Sequence, residues 1–102
     1  MTQMVYLATK NLQFSKDFGL KDQIQRASCS AMHNITEGLD GGGNAEFAKF
    51  LRYAQRSCTE VQSELYVARD QEYITQDEFD RIYNQAEQTR KTIGGFIRYL
   101  NK

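Results

Sequence analysis

Three long stretches of this chain carry apolar residues at the period of an α-helix, and no proline interrupts any of them. In the first, "FGLKDQIQRASCSAMHNITEG" (18–38), Leu20, Ile24, Ala27, Ala31 and Ile35 follow one another at intervals of four, three, four and four. Side chains at such intervals fall on one side of a helix, which then has a stripe to bury and a polar back to leave in water. The second stretch, about 45–70, repeats the pattern with Phe47, Phe50, Leu51, Ala54, Cys58, Val61, Leu65 and Ala68. The third, about 76–100, does so with Phe79, Ile82, Tyr83, Ala86, Ile93, Phe96, Ile97 and Leu100, and Arg90 interrupts it. At the standard rise the second stretch alone would be about 40 Å long.

The breaks between the stretches have their own chemistry. Gly38 reads as a helix stop, the glycines at 41–43 as a turn that reverses the chain, and Asn44 as the cap of the next helix. In "YITQDEF", Thr75 and Glu78 are spaced as a capping box, with Ile74 and Phe79 at the two positions of a hydrophobic staple. Gly94 and Gly95 each cost the last helix about 1 kcal/mol against Ala, and either allow the close approach of another helix or simply weaken that end. Ahead of residue 18, Val5, Ala8 and Leu12 mark a short helix over about 2–13, and "FSKD" links it to the next.

These elements predict one all-α domain, an up-and-down antiparallel four-helix bundle with a short first helix: about 2–13, 18–38, 45–70 and 76–100. The first helix would cover less than half the length of its neighbours. The bundle should therefore leave an apolar strip open on that side, with a second copy of the chain as the simplest cover. A homo-oligomer is the expected partner state.

Composition narrows the function classes. The 13 basic and 13 acidic residues cancel, so no global field draws the chain onto nucleic acid or an anionic membrane. No apolar run approaches the roughly 20 residues that span a bilayer, and "MTQMVYLATKN" lacks the apolar core of a signal peptide. The expectation is a cytoplasmic protein with no membrane partner, in which Cys29 and Cys58 are free thiols. In that compartment the sequon Asn34-Ile35-Thr36 is incidental. With one histidine, no Ser-His-Asp order, no phosphate-cradling loop and no H-E-x-x-H pair, neither catalytic residues nor a cofactor are expected. Cys29, His33 and Glu37 are three metal-ligand types on one face, but two helical turns, about 12 Å with their side chains, separate the outer pair. One ion would need two of them and a residue from elsewhere, and no metal site is expected.

Two polar patterns remain. Arg26, Ser30, Asn34 and Glu37 form a stripe beside the apolar one. In an antiparallel hairpin, Arg26 should come within about a turn of Arg56, Ser57 and Glu60, suggesting an Arg26–Glu60 pair. Asn34 and Glu37 should meet the start of the third helix, Asn34 bonding its backbone and Glu37 accepting from the amides of Asn44 to Glu46. Such a seam either sets helix register or recognises a partner. On the third helix, Lys49, Arg52, Tyr53 and Arg56 make a small basic patch interleaved with an aromatic, Glu46 being the only acid between Asn44 and Thr59. It is either a solvated outer face or a contact for phosphates.

At this point "FGLKDQIQRASCSAMHNITEG" and "EFAKFLRYAQRSCTEVQSELYVARDQEYI" closely resemble the small bacterial four-helix-bundle proteins encoded in intervening sequences of 23S ribosomal RNA. The accessory variability determinants of diversity-generating retroelements are similar. The match spans about 18–100 and rests on Gln23, Arg26, Ala27, Ser30, Asn34, Ile35, Glu37, Gly38, Glu46, Phe47, Phe50, Leu51, Ser57, Glu60, Tyr73 and Ile74. Thr36, Arg56 and Glu72 depart from the family pattern, as does the short front without tryptophan. The resemblance implies a non-enzymatic bundle of unknown specific role, in some relatives a homopentamer. In the retroelement relatives it implies a basic assembly that binds nucleic acid and a reverse transcriptase. It also adds Gln23 to the seam. For a neutral chain the expectation is an oligomeric scaffold or adaptor, and the alternative is an accessory factor that binds RNA or DNA through the basic patch.

Overall fold

The computed structural model describes residues 1–102 and is helical throughout. Its elements are α1 (Thr2–Ala8), α2 (Leu12–Lys16), α3 (Phe18–Asp40), α4 (Asn44–Asp70) and α5 (Gln76–Leu100). The central helix is α4, packed between α3 and α5, while α1 rests on both α3 and α5 and α2 on α3. The bundle measures 45 × 21 × 17 Å. Since α1 has only seven residues, about 10 Å of helix, it completes a four-helix cross-section at one end alone.

The core divides accordingly. Under α1 and α2 lies a cluster that includes Val5, Phe14, Ile24, Val61, Leu65, Phe79 and Ile82. Beyond it, Ala31, Leu51, Ala54, Cys58 and Ile93 form a smaller cluster. Met1 packs against both, so α1 begins where they meet.

The apolar stripes lie inward as their period demands, with instructive exceptions. The expected helix over 2–13 is broken at residues 9–11. Thr9 turns its hydroxyl to the Tyr6 carbonyl at 2.9 Å, and Asn11 adopts an extended ψ of 137°. The Asn11 amide then donates to the Tyr73 carbonyl at 3.0 Å and to the Glu78 carboxylate at 3.2 Å, tying the break to the junction of α4 and α5. Leu12 consequently lies in solvent, 69% exposed, and Phe14, from the expected linker, is fully buried. The Phe14 ring stacks on Tyr73 at 5.4 Å.

Gly38 does not stop α3, which runs on to Asp40. It is buried, and a Cβ there would stand 2.7 Å from Cδ1 of Phe47. It is glycine because α4 passes too close for anything larger. Nor does Asn44 cap α4: that position belongs to Gly43, whose φ of 133° suits only glycine, and no side chain caps the helix. The start of α5 forms as expected. Thr75 Oγ1 accepts from the Glu78 amide at 3.1 Å, and Glu78 Oε1 accepts from the Thr75 amide at 2.9 Å. Phe96, read from its spacing as core, is 52% exposed because nothing lies over that end of α5.

Candidate functional site

The polar stripe of α3 and its opposite numbers on α4 form a seam in part. Ser57 donates to Ser30 across the α3–α4 interface at 3.0 Å, and Asn34 donates to the Ser30 carbonyl at 2.9 Å. Ser57 is buried, and the three residues satisfy one another where two helices press together. The outer members behave differently. Arg26 pairs with Asp22 on its own helix at 2.8 Å rather than with Glu60, since an i,i+4 partner is in reach without crossing the interface. Asn34 folds back on its own helix, and Glu37 lies 3.6 Å from His33 Nε2 rather than on the α4 amides. Glu37 instead borders an open acidic hollow with Asp40 and Glu46.

Between the seam and the α2 end, Gln23, Arg26, Ser30, Glu60 and Glu64 line a hollow of about 360 Å³. Glu64 belongs to no sequence motif, yet it is the unusual member. Its Oε1 is buried without a hydrogen-bond partner. Burial, with the charge of Glu60 adding to it, pushes its carboxyl from the usual 4.5 up to about 7. On the opposite face of α4, Gln62 donates to Glu87 at 3.1 Å, and Arg90 clamps the same carboxylate with two bonds of 2.9 and 2.8 Å. The Arg90 guanidinium and the Gln62 amide hold Glu87 down at about 2. The interruption of the α5 stripe is therefore an ion pair that spans to α4 through Gln62.

Cys29, His33 and Glu37 do not converge into a metal-binding group. Cys29 Sγ lies 3.3 Å from the Tyr6 hydroxyl, and this contact raises the tyrosine pKa. Both cysteines are free, Cys29 exposed and Cys58 buried.

The basic patch occupies one exposed stripe of α4. Lys49, Arg52 and Arg56 have no acidic partner within ion-pair distance, and Arg56 lies over the Tyr53 ring at 5.8 Å. Tyr53 meets Phe50 edge-on at 6.0 Å, and Lys49 caps Phe50 at 6.0 Å. Three free cations alternate with two rings, an array that can meet phosphates and flat bases together.

An apolar groove lies where α1 runs out. Between α3 and α5 opens a groove of about 400 Å³, floored by Ile35, Phe47, Leu51 and Ile93 and rimmed by Leu39 and Phe96. None of its lining residues is charged, the α5 wall being Gln85, Gln88, Thr89 and Thr92. Met32 and Leu39, seven residues apart on α3, are 54% and 69% exposed beside it. It is the vacant half of the fourth-helix position.

No helix of the chain is long and apolar enough to cross a membrane. A family model described as the 23S rRNA-intervening sequence protein matches residues 1–95. The fold is similar to the crystal structure of a protein of unknown function from the S23 ribosomal protein family of Bacteroides thetaiotaomicron. The two share 26% identity with a TM-score of 0.85, over 93% of this chain and 88% of that one. No curated protein sequence matches.

Proposed function

The chain belongs to the 23S rRNA-intervening sequence protein family, and from that premise we propose that it is a non-enzymatic, self-associating helical scaffold or adaptor. The observation that carries this reading is the uncharged apolar groove between α3 and α5, left open because α1 covers only one end of the bundle. An apolar face of this kind on a chain with no net charge invites association with a like surface. Cytoplasmic residence accords with that role, and five subunits is the number the resemblance implies. Multi-angle light scattering reads the mass directly: a multimer is expected, and a monomer at all concentrations sinks the proposal.

A second reading is favoured by the α4 stripe of Lys49, Arg52, Tyr53 and Arg56, whose cations are unpaired and exposed. On this reading the assembly is an accessory factor for structured RNA, DNA or a reverse-transcriptase complex, as in the retroelement proteins that the sequence resembles. Repeating a weak phosphate-binding stripe on every subunit multiplies its avidity. Retention of structured RNA that falls with salt, and falls further when Lys49, Arg52 and Arg56 become Glu, is the expected signature. No retention at low salt removes this reading and leaves the scaffold untouched.

A further inference from the structure

Of the two adjacent glycines in α5, one has a reason inside the subunit and the other has none. A Cβ on Gly94 would meet Gln55 Nε2 of α4 at 3.0 Å, and that amide is held in place by a bond to the Arg90 carbonyl at 3.1 Å. A Cβ on Gly95 would meet only Arg98 of its own helix, at 3.8 Å. Glycine in a helix interior sacrifices stability, and nothing within the subunit requires that sacrifice at Gly95.

What Gly95 does border is apolar and open. Thr92, Gly95, Phe96 and Tyr99 surround a shallow depression of about 520 Å³ on α5. Thr92 and Phe96 also line the α3/α5 groove, so the two hollows form one continuous surface. Phe96 and Tyr99 stand out from it, 52% and 68% exposed, with Leu39 and Met32 along the other rim. Taking about 200 Å² for a large side chain, those four leave roughly 500 Å² open. That is most of the roughly 800 Å² each partner contributes to a standard interface. The Thr and Gln wall supplies much of the rest.

We propose that a second copy of this chain seats on this surface, with one of its helices crossing α5 at Gly95 and Phe96 as the buried anchor. The inference deepens the self-association reading and rests on it. No charged residue lines either hollow, and the one charge beside Gly95 is Arg98 of the same helix, so the surface is apolar with a single basic residue at its edge. A copy of the same neutral chain approaches it without net repulsion. A missing side chain lets helix axes come near the lower end of the usual 8–10 Å separation. A flanking aromatic can then fill the neighbouring hollow.

The test is the mass of the full chain by light scattering over a concentration series, for the wild type, Gly95→Leu, Phe96→Asp and the distant control Leu12→Ser. Gly95→Leu should raise the melting temperature of the subunit, since leucine favours the helix, yet weaken assembly at least tenfold. Phe96→Asp should yield folded monomer, with helicity checked by circular dichroism, and Leu12→Ser should assemble as the wild type does. If the wild type is multimeric and neither α5 variant weakens it, this surface is not the interface and the inference falls while self-association stands. If the wild type is monomeric, both fall. Protection of a thiol introduced by Gly95→Cys on a Cys29→Ser background, lost on dilution to monomer, would support the contact independently.

Discussion

The ring of Phe47 lies against Gly38, so that a Cβ on the glycine would stand 2.7 Å from Cδ1 and 3.2 Å from Cε1, with Phe50 Cβ at 3.3 Å. Gly38→Ala improves helix propensity by about 1 kcal/mol but overpacks the α3–α4 contact, at a cost of about 1–3 kcal/mol. The net expectation is destabilisation by about 1 kcal/mol in urea melts. Trimming the opposing ring with Phe47→Leu should restore part of the loss, giving a non-additive double mutant. An alanine variant as stable as the wild type would show that the ring moves aside freely.

The Ser30–Ser57 bond is the one direct side-chain link across the seam, at 3.0 Å. Removing either hydroxyl breaks this bond in a part-buried site, a loss of about 1 kcal/mol, although Ser30 keeps the Asn34 amide at 3.2 Å and Ser57 the Tyr53 carbonyl at 3.1 Å. Replacing both with Ala should cost clearly less than the two single losses added together. Asn34→Ala is the companion measurement. Lost stability with retained assembly identifies a register device, whereas unchanged melting with lost partner binding identifies a recognition site.

How far such features could be read in advance depends on the range of the interaction. The stripes of α3, α4 and α5 and the Thr75–Glu78 box are local, set by residues three or four apart, and they form where their spacing puts them. Gly38 could not be read the same way. A glycine near a helix end looks like a stop, and only the position of Phe47 on another helix makes it a packing residue. The break after Ala8 depends on Asn11 reaching Tyr73, 62 residues away. Among the polar residues, Ser30 meets Ser57 across the α3–α4 interface, while Asn34 bonds Ser30 on its own helix rather than the α4 backbone expected of it. Arg26 and Glu37 do not reach α4 because Asp22 and His33 compete from their own helix. Glu64 carries no sequence signal, since its distinction is a buried oxygen without a partner.

That glutamate makes stability depend on pH in an identifiable direction. Its pKa rises from 4.5 to about 7 on folding, so as pH climbs the unfolded chain releases this proton first. The folded state is penalised progressively between those values, and the penalty is constant above them. Because the side chain is only half-buried, solvent screening reduces the effect to about 1–2 kcal/mol. Glu64→Gln should therefore gain on the wild type by that amount between pH 4 and pH 8 in chemical denaturation. Glu60→Gln, which removes the neighbouring charge, should lower the Glu64 midpoint in an NMR titration. A gap between Glu64→Gln and the wild type that is flat in pH would show that the carboxylate ionises without penalty.

The junction at Glu78 offers the sharpest separation of local from long-range stabilisation. Its carboxylate serves its own helix through the Thr75 amide at 2.9 Å and the N-terminal segment through Asn11 at 3.2 Å. Backbone and side-chain bonds from Thr75 and Asn11 hold its pKa down against the opposing effect of burial. Thr75→Ala removes the acceptor for the Glu78 amide and should cost about 1 kcal/mol in global stability. Asn11→Ala leaves the box intact but frees the α1–α2 break from Tyr73 and Glu78. Its effect should fall mainly on local opening, with faster hydrogen exchange over α1 and α2 than over α4 and α5. It should also allow Glu78 to titrate at higher pH. Uniform acceleration across all five helices would instead mean that α1 and α2 unfold only together with the rest of the bundle.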